Sequence, residues 1–152
     1  MERANRLRAR VRICKGAYLE PATVAFPDKA DVDRNYVQAM HRLMEHGRYP
    51  GIATHDEVII NEAKRFAKER GISTDRYEFQ MLYGVRRDLQ EQLVDEGYRI
   101  RVYVPFGTQW YPYLMRRLAE RPANIAFMAG NIVKEGFGKR GRGAKKPARI
   151  TA

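Results

Sequence analysis

Gly51-Ile52-Ala53-Thr54, the amphipathic run from Asp56 to Arg70, and Tyr77-Glu78-Phe79-Gln80-Met81-Leu82 together decide the fold. The first and last segments are short and apolar, as buried strands are. Between them Ile59, Ala63, Phe66 and Ala67 recur at helical spacing and define one apolar face. Thr54 and Glu57 have the spacing of a capping box that opens this helix, and Gly71 stops it. Strand, helix, strand in close succession is the unit of a parallel sheet.

The same rhythm extends both ways. Upstream, Val11-Arg12-Ile13-Cys14 reads as a strand ending at Lys15-Gly16, followed by a loop broken by Pro21 and Pro27. A helix is predicted over Val32 to Glu45, with Val32, Tyr36, Ala39, Met40, Leu43 and Met44 on one face and Gly47 and Pro50 beyond it. Downstream, Ile100-Arg101-Val102-Tyr103-Val104 is a fourth strand ending at Pro105 and Gly107. A further helix is predicted from about Trp110 to Glu120, with Pro112 in its first turn. No glycine-rich turn of the dinucleotide-binding kind follows the first strand. A (β/α)8 barrel typically takes about 250 residues, so these 152 are expected to supply about half of one, as a truncated or split protein.

Composition narrows the class. Hydrophobic residues make up 44% of the chain, enough for a packed core, and no apolar run reaches the roughly 18 residues of a membrane span. Cys14 is the only cysteine, so no internal disulfide can form, and a reducing, cytoplasmic setting is expected. The first residues lack the apolar stretch of a secretory signal. Three histidines and one cysteine without ligand spacing predict no metal site. The net charge of +11 gathers at the ends: Arg3, Arg6, Arg8, Arg10 and Arg12 near the start, and Lys134, Lys139, Arg140, Arg142, Lys145, Lys146 and Arg149 near the finish. Two domains of different character follow: residues 1–132 as a partial barrel, and 133–152 as a basic tail expected to be disordered.

Polar residues of chemical interest fall at the C-terminal ends of the strands: Arg12 and Lys15, Thr54 and His55, Tyr83, and Tyr103. In parallel barrels that end is the active-site mouth. Val11-Arg12-Ile13-Cys14-Lys15-Gly16-Ala17-Tyr18, Ile52-Ala53-Thr54-His55, Tyr77 through Gly84, Tyr103-Val104-Pro105-Phe106-Gly107 and Arg116-Arg117-Leu118 resemble, in order and separation, successive motifs of the FAD-dependent proline dehydrogenase family. The resemblance covers about residues 11–132 and implies the C-terminal half, about four βα units, of a (β/α)8 barrel.

By that resemblance Arg12 lies beside the flavin of FAD as a permanent positive charge, a role suited to a guanidinium that never deprotonates. Lys15, Gly16 and Ala17 match a stretch that contacts FAD, and Thr54 and His55 match a second. Arg116 and Arg117 match the pair that grips the carboxylate of L-proline, while Tyr103 and Leu82 match residues around the proline ring. The implied reaction is hydride transfer from proline to flavin, giving Δ1-pyrroline-5-carboxylate, with electrons passed to a membrane quinone at the inner membrane surface. Read without the resemblance, the same residues have plainer uses: Arg12 paired with a surface carboxylate, Lys15-Gly16 as a turn, Thr54 as a helix cap, Arg116-Arg117 as a solvated helix face, Tyr103 and Leu82 as core.

The resemblance also implies partners. Family members carry a lysine, an acidic residue and a glutamine of the site on the first four strands, so a separate N-terminal barrel half is expected to complete this one. Alone, the chain is expected neither to hold FAD tightly nor to turn over. Two other readings stand beside this one: an inactive truncation product, and a basic nucleic-acid-binding protein suggested by the pI near 10.0. Nucleic acid is not expected, because the aromatic residues lie among the strand-end motifs rather than within the basic tail.

Overall fold

A computed structural model of the chain describes residues 2–16, 20–108 and 112. The chain builds one four-stranded parallel sheet from β1 (Arg12–Ile13), β2 (Gly51–Ala53), β3 (Glu78–Leu82) and β4 (Ile100–Tyr103), in the spatial order β1-β2-β3-β4. Among the described residues it is accompanied by helices α1 (Glu2–Arg6), α2 (Lys29–His46), α3 (Glu57–Glu69) and α4 (Arg87–Asp95). Strand order follows chain order without a reversal. In a doubly wound sheet the order reverses and helices cover both faces. Here α2, α3 and α4 all bury their apolar stripes in one core with Ile52, Phe79 and Met81. Among the described residues the sheet is wound one way, covered on one face and free at both edges, as an arc of a (β/α) barrel is.

Register assigns the two faces. Ile13, Ile52, Phe79 and Ile100 stand side by side across the four strands, and Met81 pairs with Val102 two residues on. Side chains alternate along a strand, so this set faces the helices. The other face presents Arg12, Gly51 and Glu78, then Ala53, Gln80 and Arg101, then Leu82 beside Tyr103. The helix side is apolar; the open side carries the polar groups. Glu78 is held there by a two-pronged pair to Arg101 (2.6 and 3.0 Å) and by the Gln80 amide (2.6 Å). Arg101 above all keeps the Glu78 carboxyl below the usual carboxylate range, against the opposing effect of burial.

The helices follow from local chemistry, with four departures from expectation. The predicted helix over Val32 to Glu45 runs longer, from Lys29 to His46. Its buried residues Tyr36, Met40, Leu43 and Met44 are among those anticipated. The capping box is corrected: the N-cap of α3 is Asp56, whose carboxylate accepts from the Val58 N–H, and Thr54 lies two residues earlier. Asp56 wins because its short acceptor sits at the cap position itself, next to the positive end of the helix. Helix α4 was not anticipated, although Leu89 and Leu93 are buried one turn apart. Its end matches that of α3. Gly71 and Gly97 adopt φ of +61° and +83°, and the Ile72 and Tyr98 N–H groups reach back to the Ala67 and Leu93 carbonyls (2.8 and 2.9 Å). That six-to-one closure needs a left-handed residue, which glycine supplies without a Cβ clash. The short helix α1 is the fourth departure. Of the helix expected from Trp110 to Glu120 the structure describes Pro112 alone, which is helical; the domain boundary at 132 and the basic tail lie outside the described residues.

Candidate active site

All four strands are parallel, so their C-terminal ends share one rim, and the loops leaving β1, β2 and β3 meet there. Tyr36 ties the first two ends together: its buried hydroxyl lies 3.2 Å from the Ile13 carbonyl and 3.3 Å from that of Ala53. Burial pushes this phenol well above its ordinary range, so it remains a donor at any physiological pH. His55 ties the next two. The Leu82 N–H donates to His55 Nε2 (2.9 Å), which requires that nitrogen to be unprotonated and leaves the proton on Nδ1. The Tyr83 N–H in turn donates to the Tyr103 carbonyl (2.9 Å). Each strand end is thus joined to its neighbour, which makes the rim stiff.

Lys15 sits at the centre of the β1 end. Its side chain is only 10% exposed, and its ammonium lies 2.5 Å from Asp33 Oδ1 on α2 and 2.8 Å from Asp56 Oδ2 at the cap of α3. Lys29 also pairs with Asp33, and Thr54 Oγ1 accepts the Asp56 N–H (3.1 Å). Burial acts to raise both carboxyls. Lys15 outweighs it at each, helped by Lys29 at Asp33 and by the Val58 and Ile59 N–H groups at Asp56, and both stay below the usual carboxylate range. One lysine therefore clamps two helices to the end of one strand. Folded values below the unfolded value of about 3.9 mean that this stabilisation is present at neutral pH and fades as pH falls through the folded values. Lys15→Met is expected to cost about 1–2 kcal/mol at pH 7, the partly exposed carboxylates keeping the loss modest. The loss should be smaller at pH 3 than at pH 7. Urea unfolding at the two pH values checks this, and an equal loss at both would exclude the clamp.

The other anticipated residues divide cleanly. Arg12 is exposed on the open face of the sheet, and no carboxylate among the described residues pairs with it. Leu82 and Tyr103 are neighbours across β3 and β4 on that same face, and Tyr103 is 46% exposed, so neither is simple core. Thr54 is buried at the rim and its hydroxyl accepts the cap N–H. Gly16 turns with φ +80°. Ala17, Arg116 and Arg117 lie outside the described residues. Sequence reasoning missed Asp33, Asp56 and Tyr36 as shapers of the rim. Asp56 carried a legible signal, a carboxylate directly before a helix, whereas Asp33 and Tyr36 act across the fold and carry none. Among the described residues no group of three potential metal ligands converges, and no helix is long and apolar enough to cross a membrane.

Residues 1–130 match the family model described as proline dehydrogenase. The chain belongs to the proline dehydrogenase family. It is 57% identical over 128 residues to a proline dehydrogenase of Deinococcus radiodurans, covering 84% of this chain and 41% of that protein. It is 53% identical over 125 residues to proline dehydrogenase 2 of Bacillus subtilis, covering 82% of this chain and again 41% of the relative. A crystal structure of proline utilization A from Bdellovibrio bacteriovorus, inactivated by N-propargylglycine, superposes with a TM-score of 0.70 at 26% identity, covering 99% of this chain and 19% of that one. The chain thus spans about two-fifths of the curated proline dehydrogenases it matches. The superposition agrees with the arc read from strand order and helix placement: the fold is part of a barrel.

Proposed function

We propose that this chain forms the flavin- and proline-binding rim of an FAD-dependent proline dehydrogenase, completed by a barrel half of the kind its relatives carry. The observation that supports this best is the open sheet face, where an exposed Arg12, with no carboxylate partner among the described residues, shares a side with Leu82 and Tyr103. These residues suit a flat, electron-accepting ring and a small substrate. A fixed cation stabilises charge that develops on the ring. An aliphatic and an aromatic side chain, adjacent across two strands, enclose a five-membered ring while leaving its carboxylate to arginine.

Bound FAD would supply the chemistry, accepting at N5 the hydride that leaves C5 of L-proline and yielding Δ1-pyrroline-5-carboxylate. The protein's part is orientation. Lys15, Gly16 and Ala17 line the cofactor from the β1 end, with Lys15 shaping the loop through Asp33 and Asp56. Thr54 and His55 approach from the β2 end. Arg116 and Arg117 take the substrate carboxylate, two guanidinium forks being suited to one carboxylate. N-propargylglycine, the inactivator of the Bdellovibrio protein, is like proline a secondary amine bearing a carboxylate. Electrons would pass to a membrane quinone, with the protein in the cytoplasm and peripheral at the inner membrane surface. Residues 1–132 form the barrel portion and 133–152 a basic tail.

A chimera tests the substrate assignment. Residues 1–130 replace the matching segment of the Deinococcus relative, and proline-dependent dye reduction is measured. Turnover is expected with L-proline, and Arg116→Gln should raise KM for proline about tenfold or more through loss of a charge-assisted contact. A folded, flavin-loaded chimera with no response to proline would refute the assignment.

A further inference from the structure

The opposite end of the sheet carries a second polar assembly that the proposed reaction does not use. The loops entering β1, β2 and β3 are neighbours there because the strands are neighbours. They enclose a half-open cavity of about 500 Å³ lined by Asn5, Arg8, His46, Arg48, Tyr49 and Arg76, with the backbone of Gly47. Its size is that of a small-molecule site, but its lining is not apolar. Three arginines line it and no carboxylate does; among the described residues neither Arg8 nor Arg48 has a carboxylate partner, and Arg76 has only its chain neighbour Asp75, whose charge it shares with Arg99. Glu45, the nearest acid on α2, is occupied by Arg70 (3.3 Å) and by His46 (3.7 Å).

The frame around these arginines is rigid. Tyr49 adopts φ +53° and Arg8 φ +50°, conformations that cost an L residue energy and persist only where their surroundings hold them. Arg10 and Arg99 both stack on the Tyr49 ring, 5.2 and 5.9 Å from its centroid, adding positive charge behind the cavity wall. Arg76 is set by a turn in which its N–H donates to the Ser73 carbonyl (3.0 Å). Neighbouring guanidinium groups repel one another unless an anion lies between them, and Asp75, the carboxylate beside Arg76, is shared with Arg99.

We propose that this cavity binds a small ligand carrying two or more phosphate groups, at a site on the far side of the sheet from the flavin rim. Guanidinium forks match phosphate oxygens in pairs, and three arginines from separate loops suit a polyphosphate better than a single monoanion. The test is calorimetric titration of the full 152-residue chain with inorganic tripolyphosphate and with orthophosphate, at 0.15 M salt. One tripolyphosphate should bind per chain, about tenfold or more tighter than orthophosphate. Joint Arg48→Gln and Arg76→Gln substitution, at exposed positions whose folding circular dichroism verifies, should weaken it roughly tenfold or more. Arg34→Gln, on the outer surface of α2, should not. Vesicles of phosphatidylglycerol form a second arm: binding to them that is lost with the same two substitutions would support the site with a lipid as the phosphate source. Tripolyphosphate binding indifferent to Arg48 and Arg76 would assign the anion to the basic tail and overturn the proposal. Absence of saturable binding to either probe would overturn it too.

Discussion

Phe79→Ala is expected to abolish cooperative unfolding of this chain or to bring its urea midpoint close to zero. Phe79 is fully buried in β3, edge-on to Tyr77 (5.7 Å) and to Tyr98 (5.6 Å), in the layer where the sheet meets its helices. Truncating a buried phenylalanine costs about 3–5 kcal/mol, because the lost burial adds to the cavity left behind. That is a large part of the roughly 5–15 kcal/mol that stabilises an ordinary domain. The cavity would open between two aromatic rings and Ile52, its register neighbour on β2. Urea unfolding followed by far-ultraviolet circular dichroism measures the loss. A change below about 1 kcal/mol would mean that the helices do not pack on this face as described.

The second large effect is functional. In the barrel completed with the Deinococcus segment, Arg12→Met is expected to slow flavin reduction by proline about 100-fold, the usual scale for removing one preorganised charge from a developing anion. Flavin content should survive, because Lys15, Thr54 and His55 hold their places through contacts that do not involve Arg12. KM for proline should change less than the rate, since the charge acts on the ring rather than on the substrate carboxylate. Stopped-flow bleaching of the flavin separates the two. A rate within twofold of the unsubstituted chimera would remove Arg12 from the site.

How far the amino-acid sequence discloses this molecule differs from element to element. The strands and the apolar stripes of α2 and α3 are plain in it, because burial imposes periods of two and 3.6 that local residues must obey. Helix α4 is faint in the sequence although Leu89, Leu93 and Gly97 mark it; its nine residues give only two buried positions, a weak periodicity. The cap of α3 was assigned to Thr54 because a hydroxyl three residues before a glutamate fits a known pattern, and the closer carboxylate of Asp56 prevailed. At the site, strand-end position pointed to Arg12, Lys15, Thr54, His55, Tyr83 and Tyr103, while Leu82 entered through the family resemblance; their shared rim or face follows from parallel pairing. What Lys15 touches was not legible. Asp33 and Asp56 meet it only because α2 and α3 pack side by side over the β1–β2 edge, and that is a property of the fold rather than of any local string.

The central claim is that the open face and C-terminal rim of this sheet form part of a flavin pocket. Its most direct test is the visible absorbance of the purified chimera carrying residues 1–130 of this chain in place of the matching segment of the Deinococcus relative. The account predicts about one FAD per folded chain, with the two-banded spectrum of a bound flavin that proline bleaches. A chimera that folds, unfolds cooperatively and yet remains colourless in excess FAD would contradict it.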